Sequence, residues 1–297
     1  MIICINGKWM NDKQAKISVL DNAFLYGDGF YDTMRTYKGK VLELELHVQR
    51  VLHSAQVMNI ELPWTEKQLK NWIQGTADRN KAKSARVRIT ISRGVNDFDF
   101  TCTKNPLAVV TCEPLILNPK DYSSGVSVVT MHLQRILPEI KTVGLTHMVV
   151  AYKELFPKGI YEALIVSPDG NIPEGASTNL MIVKNGKIIT PKTGMLPGLT
   201  RKRVLALAKK LAIPVIQKNI KLGALKSADE IFLTNRPREL IPVTKLNNKK
   251  VGNGKPGPIT KKLMDAYQDY IAEYMEANAA STMGGISAKA LKEKYAP

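Results

Sequence analysis

From Arg86 to Arg93 the chain alternates strictly, with Val87, Ile89 and Ile91 on one side and Arg86, Arg88 and Thr90 on the other. Successive side chains of an extended segment point to opposite faces, so this is a half-buried strand and the chain must build a sheet around it. Upstream the period changes. Leu46, Val51, Leu52, Ala55 and Met58 recur at near-helical spacing and predict an amphipathic helix over 46–58 that carries Arg50. A more polar helix is expected over 65–79. Asn6-Gly7 and Tyr37-Lys38-Gly39-Lys40 read as hairpin turns, because Asn and Gly supply the positive φ angles that tight turns require.

A second strand, Leu107 to Cys112, runs into Glu113-Pro114, and from Asn118 to Gly125 the apolar pattern stops and turn formers gather. The expected division is a smaller N-terminal α/β domain at 1–117, a linker at 118–125, a larger C-terminal domain at 126–278 that carries Lys141, and a tail at 279–297 whose role is not readable. The second half mixes strands (126–133, 163–166, 180–183, 231–233) with helices near 143–155, 200–211 and 258–273. The fold class this implies is α/β, of the α+β kind, in two domains.

With 297 residues, 44% of them hydrophobic and 23% charged, the chain can bury a core for such domains. No stretch approaches the roughly 20 apolar residues of a membrane span. The opening MIICINGKWM lacks the charged-then-apolar pattern of a secretion signal, so a soluble, cytoplasmic protein is expected. Cys4, Cys102 and Cys112 form no CxxC pair, which argues against a zinc cluster or a disulfide framework. The formal charge of +17 is spread along the chain in short runs such as Lys81 to Lys83, without aromatic interleaving. A generally basic surface follows more readily than a nucleic-acid interface.

Three local settings carry chemistry. Lys141 follows a strand and the segment Arg135 to Ile140 and precedes an apolar helix, where a partly dry cleft makes an amine nucleophilic. The turn Ile172-Pro173-Glu174-Gly175-Ala176-Ser177-Thr178-Asn179 presents one carboxylate just before an apolar strand, placed to pair with a cationic ring nitrogen. Met195-Leu196-Pro197-Gly198-Leu199-Thr200-Arg201 leads into a helix, whose free N–H groups bind phosphate.

In order along the chain, Leu25-Tyr26-Gly27-Asp28-Gly29-Phe30-Tyr31-Asp32, Glu45 to Arg50, Ile140-Lys141-Thr142, the Glu174 to Asn179 turn, Leu196 to Arg201 and Ala228 to Thr234 resemble the class IV aminotransferases. The resemblance runs from about Ile3 to Glu273. It implies a two-domain, D-amino-acid-aminotransferase-like fold with pyridoxal 5′-phosphate as cofactor. Lys141 would be its covalent anchor and the catalytic residue, Glu174 the partner of the ring nitrogen, and Arg50, Leu199 and Thr200 the phosphate ligands. Asn235 and Arg236 join the expected cofactor set, and Tyr31, Arg236 and Arg238 the substrate set. A homodimer, amino-acid and 2-oxo-acid substrates, no membrane partner and no metal complete the expectation.

Two departures bear on the substrate. Where branched-chain enzymes of this family place a tyrosine five residues after the lysine, this chain has Thr146. Where they carry a loop of small residues whose N–H groups bind the substrate carboxylate, it reads Asn235-Arg236-Pro237-Arg238-Glu239. Pro237 has no N–H to offer, so an arginine is expected to take over carboxylate or phosphate binding. The Arg and His that D-amino-acid enzymes place after Arg93-Gly94 are missing, since the chain continues Val95-Asn96-Asp97-Phe98-Asp99-Phe100. The leading expectation is therefore an amino-acid transaminase, branched-chain type ahead of D-amino-acid type. An aminodeoxychorismate-lyase-like enzyme releasing pyruvate and a basic nucleic-acid-binding protein on a degenerate enzyme fold are the alternatives. Lys255 to Thr260 opens the last helix as in the aminotransferase branches.

Overall fold

The computed structural model describes residues 1–95 and 105–282, with side chains described as far as 278. Cys102, the segment Asn96 to Phe100 and the tail beyond 282 lie outside the described residues. The chain divides into two compact units, one of Met1–Ile116 with Ile140–Leu145, the other of Leu117–Glu139 with the chain from Thr146 onward.

The first unit contains, in chain order, β1 (Ile2–Ile5), β2 (Lys8–Asn11), α1 (Asn22–Tyr26), β3 (Gly29–Tyr37), β4 (Lys40–Val41), α2 (Leu44–Val57), α3 (Glu66–Arg79), β5 (Ala85–Ser92) and β6 (Leu107–Pro114). Its six strands form one antiparallel sheet in the order β2-β1-β6-β5-β3-β4. Both expected hairpins are present. Asn6 and Gly7 take φ of 46° and 83°, Lys38 and Gly39 φ of 49° and 86°, the positive pairs that two-residue turns need. The alternation that opens the sequence holds in β5, where Val87, Ile89 and Ile91 are fully buried. They pack with Val48, Val51 and Ala55 of α2 and Leu69 and Ile73 of α3 in one core. A capping box starts α3, the Thr65 hydroxyl accepting from Gln68 N at 3.3 Å while Gln68 Oε1 accepts from Thr65 N at 2.9 Å.

The second unit contains α4 (Pro119–Ser123), β7 (Val126–His132), α5 (Thr146–Leu155), β8 (Glu162–Val166), β9 (Asn179–Lys184), β10 (Lys187–Thr190), α6 (Leu199–Lys210), β11 (Val215–Gln217), α7 (Leu222–Lys226), β12 (Glu230–Asn235), β13 (Glu239–Leu246), β14 (Lys249–Lys250) and α8 (Pro258–Thr282). Its mixed sheet runs β11-β10-β9-β12-β13-β7-β8, with β14 added to β13. The pairs β10–β11, β13–β7 and β7–β8 are parallel. Helices α6 and α5 supply the crossovers that two of these parallel pairs demand. Leu164, Leu180, Ile182, Ile231, Leu233 and Ile241 form the centre of the core.

Four particulars differ from the sequence expectation. The segment 118–125 is not open linker: Asn118 caps α4, its side chain accepting from Lys120 N at 3.2 Å, and Pro119 opens the helix. The helix expected from Val143 begins at Thr146, because Ile140–Leu145 is hydrogen-bonded to the first unit, Tyr31 N to Lys141 O at 2.8 Å and Val143 N to Gly29 O at 3.0 Å. Lys141 therefore belongs to the first unit and not, as expected, to the C-terminal one. Strand β13 has no counterpart in the sequence reading, since Pro242 sits inside it opposite Phe232 and breaks the usual strand signature.

Candidate active site

In the first unit, the backbone bonds of Tyr31 and Gly29 to the 140–145 segment fix where Lys141 enters. Ile140, 2% exposed, anchors that segment in the core, and Lys141 Nζ lies 5.4 Å from the centre of the Tyr31 ring. Across the strand pair, Thr33 of β3 stands opposite Arg88 of β5 and Tyr31 opposite Thr90. Arg88 is thus diagonal to Tyr31, and its guanidinium carbon sits 3.8 Å from the ring centre. Arg88 Nε donates to Thr90 Oγ1 at 3.0 Å, and no carboxylate of the described residues pairs with it. Burial pushes the Arg88 guanidinium below its ordinary value; Tyr31 and, more weakly, Glu113 offset this in part, and Arg86 adds to it. A half-buried cation in no ion pair of the described residues, on the same ring as the lysine, suits an anionic group.

Tyr31 faces Lys141, whereas the even positions of β3 face α2. There Asp32, 2% exposed, accepts from Arg50 Nε at 2.9 Å and Nη2 at 2.6 Å, and its Oδ1 lies 3.1 Å from His47 Nδ1. Burial raises the Asp32 carboxyl, but the Arg50 charge and then His47 outweigh it and hold the group far below the usual carboxylate range. Arg50 is thereby locked in one orientation with its side chain still 12% exposed.

In the second unit, Glu174 is 3% exposed. One oxygen is ion-paired with Arg135, and the other accepts from Leu196 N at 3.0 Å. Its backbone is pinned to β8, Ile165 N donating to Glu174 O at 2.9 Å. A cavity of about 350 Å³ opens beside it, lined among others by Arg135, Pro173, Thr193 and Asn219. Two residues downstream of Leu196, Gly198 caps α6 with its backbone only, and Asn179 explains why it is glycine: a Cβ there would lie 1.9 Å from Asn179 Oδ1. Asn179 Nδ2 in turn donates to Leu196 O at 2.8 Å. The first turn of α6 carries no side-chain cap, and the Thr200 hydroxyl, in a residue 2% exposed, has no hydrogen-bond partner. Neighbouring Arg201 does not compete for an anion. It turns inward to Thr190 Oγ1 at 3.1 Å, Pro191 O at 2.7 Å and Gln217 Oε1 at 3.1 Å.

The loop after β12 is ordered by its own side chains. Asn235 Oδ1 accepts from Arg238 N at 2.8 Å, and buried Arg236 donates from Nη1 to the Tyr267 hydroxyl of α8 at 3.2 Å. Arg238 turns toward Tyr161, 5.1 Å from its ring centre, and Tyr122 donates to its carbonyl at 3.0 Å. Thr146 is exposed at the start of α5. Sequence reasoning missed three residues of these constellations. Arg88 and Asp32 carried a usable signal, since alternation alone places them on opposite faces of adjacent strands; Arg135 carried none, because its partner is 39 residues away.

The orphaned Thr200 hydroxyl at an uncapped helix start suits a phosphate, and buried, ionisable Glu174 suits a cationic ring nitrogen, so these residues fit pyridoxal 5′-phosphate. Among the described residues no cluster of His, Cys, Asp and Glu could hold a metal, and no helix is long and apolar enough to cross a membrane.

Known proteins point the same way. Residues 29–246 match the amino-transferase class IV family. A Methanocaldococcus jannaschii protein with the provisional name branched-chain-amino-acid aminotransferase is 32% identical, over 91% of this chain and 96% of its own. D-alanine aminotransferase of Staphylococcus aureus is 30% identical, over 92% and 98%. Among solved structures, the T.th. branched-chain amino acid aminotransferase with pyridoxamine 5′-phosphate superposes with a TM-score of 0.85 at 26% identity, covering 91% of this chain and 93% of that one. The Escherichia coli branched-chain enzyme gives 0.82 at 26% identity, covering 90% and 92%. The family match spans most of the chain, and the fold and relatives agree with it: the protein belongs to the amino-transferase class IV family and is an aminotransferase.

Proposed function

We propose that this aminotransferase uses pyridoxal 5′-phosphate to move an amino group between an amino acid and a 2-oxo acid, with branched-chain L-amino acids ahead of D-amino acids and an acidic amino acid among its donors. The cluster of Arg88, Tyr31 and Lys141 carries this reading, because it puts a guanidinium that is in no ion pair of the described residues beside the ring that flanks the lysine. The T.th. relative has been solved with an L-glutamate adduct of the cofactor and with 4-methylvaleric acid, one acidic ligand and one branched and apolar. Arg88 gives this chain a means of recognising the acidic kind.

The cofactor, when bound, supplies an electron sink for the bond broken at the amino acid's Cα. Lys141 would anchor it covalently and, once the substrate's amine has displaced the lysine amine from that bond, the freed Nζ would take the proton from Cα. Glu174, ion-paired with Arg135 and hydrogen-bonded by the Leu196 N–H, would hold a proton on the ring nitrogen. Arg50, the N–H groups of Leu199 and Thr200 and the Thr200 hydroxyl hold the phosphate, with Asn235 and Arg236 shaping the loop beside them. Tyr31 and Arg88 orient the substrate. Arg238, expected as a substrate ligand, is read instead as an internal charge, because Tyr161 and Tyr152 surround it.

We read the protein as a homodimer. Ile17, Val19, Leu20, Phe24 and Leu25 stand exposed within nine residues of the first unit, an apolar patch that a second copy would cover.

The test is a visible absorbance spectrum of the purified protein, with Lys141→Ala beside it, followed by half-reactions with L-leucine, L-glutamate and D-alanine. Absorbance that disappears with the lysine, and bleaching by the two L-amino acids, is expected. A colourless wild type that takes up no added cofactor overturns the cofactor reading. Bleaching by D-alanine alone overturns the choice of hand.

A further inference from the structure

Behind the Glu174 turn lies a second buried carboxylate that the proposed chemistry does not use. Glu162 opens β8 and is fully buried. No cation lies within ion-pair distance of it among the described residues. It accepts from Ala163 N at 3.0 Å, from Ser177 N at 3.2 Å and from Ser177 Oγ at 2.7 Å. The Tyr152 hydroxyl of α5 donates to Ser177 Oγ at 2.6 Å and comes within 3.2 Å of Glu162. The hydrogen bonds therefore run one way, from Tyr152 through Ser177 into Glu162, and the carboxylate acts only as an acceptor.

Burial pushes the Glu162 carboxyl above its ordinary value, and Ser177, the Arg238 charge and two backbone N–H groups offset this only in part. An unpaired carboxylate is a costly way to fill the start of a core strand, where an apolar side chain would serve packing alone. What it holds is the turn. Ser177 lies three residues after Glu174, Gly175 N closes the turn on Thr178 O at 2.8 Å, and Ala176 N bonds to Ala163 O at 2.9 Å. The turn lies directly on the Glu162 side chain: a Cβ on Gly175 would come within 3.1 Å of Glu162 Cγ.

We propose that Glu162 is a positioning residue which, through Ser177 and Tyr152, fixes the Glu174–Asn179 turn and so aims the Glu174 carboxylate. This rests on the reading of Glu174 as partner of the cofactor ring. Glu162 itself touches neither cofactor nor substrate in this scheme. The groups facing it are Tyr152 from α5, Ser177 from the turn, and Arg238 from the loop after β12, with Tyr161 beside Arg238.

The test is a double-mutant cycle on the holoenzyme, read by pyridoxal 5′-phosphate affinity and by the pH dependence of its visible absorbance. Glu162→Gln should weaken cofactor binding about tenfold and shift the absorbance titration, because one amide N–H then faces donors. Ser177→Ala and Tyr152→Phe should do the same to a smaller degree, Tyr152→Phe keeping the ring that stacks on Phe156 at 4.5 Å. In a Glu174→Ala background all three losses should vanish, since the network acts through that carboxylate. Equal losses in both backgrounds, or none in either, overturn the positioning role while leaving Glu174 in place. Glu174→Ala alone leaving affinity and spectrum unchanged overturns the reading of Glu174 and this proposal with it. Should Glu162→Gln not fold, the hydroxyl deletions at Ser177 and Tyr152 decide the same question.

Discussion

Asp32 grips Arg50 with both carboxylate oxygens, Nε at 2.9 Å on one and Nη2 at 2.6 Å on the other, across the gap between β3 and α2. The arginine is held before any ligand arrives, and its orientation costs nothing further on binding.

Asp32→Asn removes the charge and keeps the shape. Breaking a buried pair from one side leaves the other charge uncompensated, so the variant should be less stable by about 3 kcal/mol at pH 7. The Asp32 carboxyl is depressed from an ordinary 3.8, so its contribution is complete above that pH and drains away as pH falls below it, toward the lower value of the folded protein. Urea unfolding midpoints at pH 7, 5 and 3 check this: the gap between wild type and Asp32→Asn should be widest at pH 7 and narrow at pH 3. A gap that stays constant over that range contradicts the assignment.

Arg88→Ala separates acidic from apolar donors. Removing the guanidinium over Tyr31 should raise KM for L-glutamate at least roughly tenfold, the scale of a charge-assisted hydrogen bond, and leave KM for L-leucine within about threefold. Arg88→Lys keeps the charge without the planar fork and should fall between. Equal loss for both donors would place Arg88 in the framework and not in recognition.

How much of this is legible in the sequence depends on how local each signal is. The alternation of β5, the Asn-Gly turn and the Thr65 capping box are set by neighbours a few residues apart, and they are present in the structure. The Lys141 segment joins a different unit from the chain on either side of it, because its place is decided by backbone bonds to Gly29 and Tyr31, which no local pattern encodes. Arg135 facing Glu174, and Glu162 beneath Ser177, are likewise tertiary pairings. The arginines at 236 and 238 are visible as a departure in the loop after β12, but not that each turns to a tyrosine.

Gly198→Ala should be felt beyond its single methyl. The backbone at φ −67° tolerates alanine, so the cost is steric, the new Cβ meeting Asn179 Oδ1 at 1.9 Å. Asn179 must swing away and release Leu196 O, which loosens the segment carrying the Glu174 contact. A loss of about 1–3 kcal/mol in stability, the range for overpacking, is expected together with weaker cofactor binding. Thermal melts with and without cofactor measure both. An unchanged melting temperature would show that the packing around Asn179 yields without cost.

Thr200→Val asks whether the orphaned hydroxyl is there for a ligand. Its Oγ1 is buried with no partner, a state that costs stability unless something else satisfies it, and valine has the same shape without the polar atom. The cofactor-free variant should therefore be as stable as wild type or more stable by up to about 1 kcal/mol. With pyridoxal 5′-phosphate the order should reverse: the variant keeps the N–H groups of Leu199 and Thr200 but loses one hydrogen bond to phosphate, so affinity should fall about tenfold. Denaturant melts of the cofactor-free protein and equilibrium titration of the cofactor measure the two quantities separately. A structural hydroxyl would lower stability when removed and leave affinity alone, and only a ligand-directed one gives the opposite pair of signs.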